Sequence, residues 1–323
     1  MTKLQTKVRI ATSRSSLQST GVRIGVDVGG TKIESIALAR TGEVIARKRV
    51  PTPQQDYEAT VAAIASVVGD VEHAAGGHGS VGVGIPGTIS SATGLVKNAN
   101  STWLIGRTLG ADLSRLLGRP VRLANDANCF ALSEAADGAG AGARTVFGVI
   151  AGTGIGGGLV VNGEVVVGAN AIAGEWGHNP MPWPRPGEWP GPNCYCGRTG
   201  CIETFLSGPG LAADFERATR QRVAVPEIVA RANGGDLAAV LCLERHEDRF
   251  ARALASVINI FDPDVIVLGG GLSNLERLYT AVPARWPAFV FSDVIATRMV
   301  RAAHGDSSGV RGAAWLWPAG SET

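Results

Sequence analysis

The patterned part of the chain begins with an apolar run, VRIGVDV at 22–28, closed by Gly29-Gly30. A run of that length bounded by glycines predicts a buried strand. Residues 32–39 predict a second strand, and 42–49 a third after the turn at Thr41-Gly42. The three form an antiparallel meander whose glycine turn adjoins Asp27. From 56 to 74 the spacing changes. Tyr57, Val61, Ile64, Val67, Val68 and Val71 recur along one face of a helix. A strand at 80–85 ends at Pro86-Gly87, followed by a short helix at 112–117 and a strand at 121–123. A helix spans 125–136, with Asn125 and Asp126 at its N-terminal edge.

A second block repeats this style. Residues 145–150 predict a strand, 152–158 a glycine turn, and 159–161 a strand. Asn162-Gly163 is a hairpin signal, and 164–167 returns. A Pro-, Trp- and Cys-rich excursion at 179–201 follows. Helices are predicted over 211–219, 225–232 and 237–261, then a strand at 265–268 running into Gly269-Gly270-Gly271. Helices at 274–282 and 310–317 complete the pattern. Two blocks that each open with strand, glycine turn, strand suggest internal duplication, with a boundary near 138–142. Two facing α/β halves would leave a cleft suited to a ligand.

Length agrees with two blocks, since 323 residues at roughly 150 per domain give about two. Glycine, at 44 residues, is about twice its usual share and falls in clusters, which points to tight backbone turns around a ligand. A net charge of +2 is too balanced for a dedicated nucleic-acid surface. No run reaches 18 apolar residues, so no membrane span is expected. Residues 1–20 carry Lys3, Lys7, Arg9 and Arg14 and no acid; they read as a disordered extension or a transit-like segment without an apolar secretion signal. The five cysteines are odd in number, and three fall within eight residues. That favours a metal site in a reducing, cytoplasmic compartment over a disulfide framework.

Several motifs carry chemistry. In Asp27-Val28-Gly29-Gly30-Thr31-Lys32, glycines let backbone N–H groups approach phosphate, Asp27 can orient Mg²⁺, and Lys32 adds charge; an ordinary Gly-Gly hairpin is the alternative. Gly152–Gly157 and Gly82–Gly87 both match G-x-G-x-x-G. The first is followed by a strand rather than a helix, and the second contains a proline, so neither marks a dinucleotide site. No Gly-Lys pair exists, which excludes a Walker P-loop. Asp126, opening a helix beside a cleft, suits a general base, or else merely caps the helix. Cys194, Cys196 and Cys201 with His178 supply a tetrahedral Zn²⁺ set of the closed, structural kind, although C-x-C is tighter than the usual spacing and free thiols remain an alternative. Glu175 and Glu203 on that loop are placed to bind sugar hydroxyls or to serve as solvated charges. Gly305–Gly309 matches G-x-S-x-G, but no histidine follows Ser307, so the hydrolase order is impossible.

Taken in order, these residues resemble the ROK family of bacterial sugar kinases. The marks are DVGGTK at 27–32, GIPG at 84–87, NDAN at 125–128, GTGIGGG at 152–158, GEWGH at 174–178, CYCGRTGCIE at 194–203, DPDVIVLGGGLSN at 262–274 and HGDSSGVRGAA at 304–314. The resemblance runs from Val22 to Pro318. It implies an α/β, actin-like (hexokinase-type) ATPase fold with two α/β domains around a cleft. The extension would occupy 1–21 and the N-terminal domain 22–137, joined by the C-terminal helix 307–318. The larger C-terminal domain would occupy 138–306 and carry a zinc-bound loop at 178–203.

The implied reaction is transfer of the ATP γ-phosphoryl group to a sugar hydroxyl, with Asp126 as base and Mg²⁺ neutralising charge. Asn100, Asn125, Glu175, His178 and Glu203 would contact the sugar. Asp27, Gly29, Gly30, Thr31 and Lys32, with Gly152, Thr153, Gly154, Gly269, Gly270 and Gly271, would hold the nucleotide. His178, Cys194, Cys196 and Cys201 would hold structural zinc. Residues 96–104, Trp176 and 178–183 look most like the fructokinase/mannokinase branch, with fructose or mannose taken to the 6-phosphate. N-acetylglucosamine kinases and glucokinases are the alternatives. The family often forms homodimers. Its sugar-sensing repressors carry an N-terminal winged helix, for which residues 1–20 leave no room.

Overall fold

The computed structural model describes residues 21–318. Most of the predicted extension, residues 1–20, lies outside them. The first sheet takes β1 (Arg23–Val28), β2 (Lys32–Leu38), β3 (Val44–Pro51), β4 (Ser80–Ile85) and β7 (Val121–Asn125) in the order β3-β2-β1-β4-β7. β1, β2 and β3 pair antiparallel, whereas β4 and β7 join in parallel. The second sheet takes β8 (Thr145–Ala151), β9 (Ile155–Val161), β10 (Glu164–Val165), β11 (Val265–Gly269) and β12 (Arg298–Arg301) in the order β10-β9-β8-β11-β12. It has the same plan, an antiparallel meander followed by two parallel strands. The duplication inferred from sequence is therefore a duplication of topology. A two-stranded ribbon of β5 (Thr88–Ile89) and β6 (Val96–Lys97), not predicted, stands beside the first sheet.

Strand alternation decides what each face of a sheet can pack. In β1, Ile24, Val26 and Val28 join Val81, Val83 and Ile85 of β4 in a core under α1 (Tyr57–Ala75). Asp56 caps α1 by accepting from the Ala59 N–H at 2.9 Å, and left-handed Gly76 ends it. The opposite face of β1 carries Gly25 and Asp27, and that of β4 carries Gly82. Against this face lies α9 (Ser308–Ala314). A Cβ on Gly25 would overlap the Val310 carbonyl oxygen, and one on Gly82 that of Ala313. Side chains are absent here because a helix backbone takes their place.

α9 in turn crosses α3 (Asp126–Ala136) so closely that a Cβ on Gly312 would fall inside the Cys129 carbonyl oxygen. The far side of α3 rests on Gly148 and Gly158 of the second sheet, where a Cβ would strike Ala131 and Ala127. Glu134 of α3 is fully buried and ties the crossing together. It accepts from the backbone N–H groups of Ala139 and Ala303 at 2.9 Å and of His304 at 3.2 Å, and from the Ser308 hydroxyl at 2.8 Å. The other face of the second sheet presents Phe147, Val149, Ile266 and Leu268 to the long helix α7 (Leu237–Phe261). The layers thus run α1, first sheet, α9, α3, second sheet, α7.

Two expectations change. Only 152–154 form the turn between β8 and β9, while Gly156, Gly157 and Gly158 lie inside β9. Gly158 leaves room for α3, and Gly157 abuts Trp176 and the Gly174 carbonyl. The predicted helix at 274–282 is a 3-10 turn at Gly271–Asn274 and a single turn, α8 (Leu278–Ala281). Helices α2 (Leu109–Leu117), α5 (Gly208–Thr219) and α6 (Val225–Asn233) lie near their expected places, and α4 (Ile202–Leu206) was not foreseen. The 179–201 excursion has little regular structure and is stapled to α7. Its buried Glu188 pairs with Arg249 at 2.8 Å and Arg252 at 2.9 Å, and Arg252 also donates to the carbonyls of Pro182 and Trp183.

Gly312→Ala must push α9 off α3, and overpacking of a backbone crossing costs about 3 kcal/mol or more. Urea unfolding should show that loss; a variant as stable as the parent would contradict this crossing.

Candidate active site

Two cavities meet in the cleft between the sheets. The larger, about 600 Å³, is lined by Asp27, Gly29 and Gly30 at the end of β1, by Gln54, Asn100 and Trp103, by Gly270 after β11, and by Ser308 and Gly309 of α9. The smaller, about 250 Å³, is lined by Asn98, Asn100, Asn125, Gly152, Thr153, Gly154, Glu175, His178, Tyr195 and Glu203. Both are lined by Pro86, Asn100, Ile150 and Asp126. Asp126 therefore stands where the two spaces join, at the first residue of α3.

All six residues assigned to base or sugar contact converge on the smaller cavity. Asn125 is also the N-cap of α3. Its Oδ1 accepts from the Ala127 N–H at 2.8 Å, and its amide donates to the Gly87 carbonyl at 3.0 Å. Capping and cavity lining are thus one arrangement, because the cap fixes the side chain at the cleft floor. Glu203 opens α4 and accepts from the Ile155 N–H at 2.9 Å, which ties the zinc-type loop to the start of β9. The nucleotide set divides. Asp27, Gly29, Gly30 and Gly270 line the larger cavity, whereas Gly152, Thr153 and Gly154 line the smaller. Thr31, Lys32, Gly269 and Gly271 line neither. The Lys32 ammonium is turned to Glu34 at 3.4 Å, and Gly269 lies against the ring of Phe130.

Sequence reasoning took in Asn98 and Trp103 only as part of the 96–104 segment read for specificity, and missed Gln54, Tyr195, Ser308 and Gly309. Gln54 and Thr52 hold the glycine turn by donating to the carbonyls of Gly30 at 2.8 Å and Gly29 at 2.7 Å. Asn98 has left-handed backbone at φ 56°, a conformation in which asparagine is enriched, so its type was a signal.

The carboxylates sit in an unusual field. Burial raises the pKa of Asp27 to about 6, helped by the charges of Asp126 and Glu34 and opposed by Lys32. Asp126 opens to the cleft but is otherwise enclosed by protein. That enclosure raises its pKa, with Glu175 adding to the shift and the Ala127 N–H opposing it. Among the described residues, no lysine or arginine lines the larger cavity. A hollow with glycine backbone, two carboxylates and no fixed cation suits a phosphate chain accompanied by a divalent metal better than a bare anion.

The donor set on the loop also fits its metal. His178, Cys194, Cys196 and Cys201 place one ligand atom each within 4.8 Å of one another. Cys194 Sγ lies 3.6 Å from His178 Nδ1, and Cys196 Sγ lies 3.6 Å from Cys201 Sγ. Thiolates sharing a tetrahedral zinc at ~2.3 Å stand on the order of 3.7 Å apart, so the arrangement is compatible with structural Zn²⁺.

Residues 23–319 match the ROK family. The chain belongs to the ROK family. It is 42% identical over 296 residues to an N-acetyl-D-glucosamine kinase of Yersinia enterocolitica, covering 90% of this chain and 98% of that protein. The ROK hexokinase of Thermus thermophilus has a similar structure, with a TM-score of 0.81, 32% identity, and coverage of 91% of this chain and 97% of that one. A ROK family glucokinase from Streptomyces griseus, solved with glucose and AMPPNP, has a TM-score of 0.72 at 28% identity and covers 92% and 99%. The fold is the actin-like ATPase fold, and the chain is a sugar kinase of this family. Its similarity to the N-acetyl-D-glucosamine kinase does not support the preference for fructose or mannose read from 96–104, Trp176 and 178–183. Among the described residues no helix is long and apolar enough to cross a membrane.

The raised pKa of Asp27 has a consequence for folding. Above pH 6 its carboxylate is charged in the folded chain at a cost the unfolded chain does not bear; below its ordinary value of 3.8 it is protonated in both states. Asp27→Asn should therefore raise the melting temperature of the metal-free protein at pH 8 and leave it nearly unchanged at pH 4. Thermal unfolding at the two pH values checks this. A stability gain of equal size at both would contradict the buried charge.

Proposed function

We propose that this sugar kinase phosphorylates N-acetylglucosamine, with ATP in the larger cavity, sugar in the smaller, and Asp126 as the base between them. The observation that carries the reading is that the two cavities share Asp126. The preference for N-acetylglucosamine over fructose, mannose or glucose rests on the 42% identity to the N-acetyl-D-glucosamine kinase.

The roles follow from position. Asn100, Asn125, Glu175, His178 and Glu203 offer the donors and acceptors that fix the sugar hydroxyls. Asp126 accepts the proton of the attacking hydroxyl as its oxygen bonds to the γ-phosphorus and the bond to the ADP oxygen breaks. A base with a raised pKa takes that proton more readily, provided it is ionised at the working pH. Asp27 would hold Mg²⁺ against the phosphates, and bound Mg²⁺ supplies charge neutralisation. The amides of Gly29, Gly30 and Gly270 and the N-terminal turn of α9 border the phosphate space. Positioning carries most of such a transfer, so the lobes at 22–137 and 138–306 work by closing on the substrates and excluding water. His178 and the three cysteines would hold zinc and so keep Glu175 and Glu203 on one rigid loop. A homodimer belongs to the same reading, and exposed Ile260 and Phe291 offer an apolar face for a second copy.

A coupled ADP-release assay with Mg-ATP tests the substrate. N-acetylglucosamine should exceed fructose and mannose in kcat/KM by at least about tenfold, the discrimination a group-sized pocket difference can supply. Preference for fructose or mannose would restore the branch suggested by sequence. Sugar binding without turnover would identify a sensor.

A further inference from the structure

The smaller cavity mixes polar side chains with the aliphatic Pro86, Ala127, Ile150 and Ile155. Tyr195 is the only phenylalanine, tyrosine or tryptophan among its described lining residues. Its side chain is 79% exposed. It is the residue between Cys194 and Cys196, so a metal held by those thiols fixes the backbone on both sides. Its hydroxyl lies 3.0 Å from His178 Nε2, and the two rings meet edge to face at 5.2 Å and 87°. His178 Nδ1 faces Cys194. With Nδ1 turned to the cysteines and serving as a metal ligand, Nε2 carries the proton and donates to the tyrosine oxygen.

A hexose has hydroxyl edges and an apolar C–H face, and an N-acyl sugar adds a methyl group. The asparagines, glutamates and histidine match the edges. The C–H face packs best on a flat ring, and an amphipathic ring at a wet site can supply one. We infer that Tyr195 is a substrate-touching residue, its ring forming an aromatic wall of the sugar site and its hydroxyl releasing His178 Nε2 when a sugar hydroxyl arrives. The exchange is inexpensive because the freed tyrosine hydroxyl stands in water. This rests on the reading that the smaller cavity holds the sugar. It goes beyond that reading by giving a specificity role to a residue that the cysteine spacing alone would pass over.

The test uses the full-length, zinc-loaded chain with Tyr195→Ala and Tyr195→Phe. It measures zinc per chain, N-acetylglucosamine binding by calorimetry without nucleotide, and KM for sugar and for ATP. Tyr195→Ala should weaken sugar binding and raise sugar KM by tenfold or more, with ATP KM within twofold and zinc unchanged. Tyr195→Phe should bind sugar within threefold of the parent. The inference is overturned if Tyr195→Ala binds sugar within twofold of the parent. It is also overturned if that variant loses zinc and sugar together, or if Tyr195→Phe loses as much as Tyr195→Ala. A parent chain that binds and phosphorylates no sugar would remove the functional reading, and this inference with it.

Discussion

Two helices lie back to back between two sheets, with glycine at the points of closest approach. α9 presses its carbonyls onto Gly25 and Gly82 of the first sheet, α3 rests on Gly148 and Gly158 of the second, and Gly312 lets the helices cross at backbone distance. The catalytic spacing depends on this stack. Asp27 shares the inward face of β1 with Gly25, so it emerges where α9 begins, and a Cβ on Gly309 would stand 3.7 Å from its carboxylate. Asp126 starts α3. The distance between these two cleft carboxylates is therefore set by helix packing rather than by loops. Glu134 reinforces it by gathering four donors from α3's own end and from the approach to α9.

The same closeness explains the electrostatics. Burial raises the proton affinity of both Asp27 and Asp126, the charge of Asp126 adds to the shift at Asp27 and that of Glu175 to the shift at Asp126, and the thiol of Cys129 behind them is pushed well above its ordinary value. Isolated, such a site is costly. On the proposed roles, a divalent cation held at Asp27 would offset this charge and leave Asp126 as the carboxylate facing the sugar hydroxyl.

Much of this could be read from residues alone. The apolar spacing of 56–74 gave a helix within one residue of α1, and 237–261 coincides with α7. The residues assigned to base, sugar and metal were read from ordered motifs, and the structure brings them together at one cavity and the loop beside it. Glycine was the blind spot. It carries no hydrophobic signal, so Gly156–Gly158 read as a ligand turn, although Gly158 is a strand position emptied for a helix. The edge strand β12, with arginine at both ends, showed no apolar run. Lys32 looked like a phosphate ligand from its neighbours, but strand alternation and the pull of Glu34 turn it elsewhere. Tyr195 was hidden because the motif around it was read for its cysteines.

The central claim is that Asp126 is the base at the junction of two substrate spaces. Single-turnover transfer from ATP labelled in the γ-phosphoryl group to N-acetylglucosamine by Asp126→Asn tests it most directly, with both substrates' binding measured alongside. Binding should stay within a few-fold of the parent while transfer falls by at least about a hundredfold. Transfer at the parent rate, or loss of transfer only in proportion to lost binding, would contradict the account.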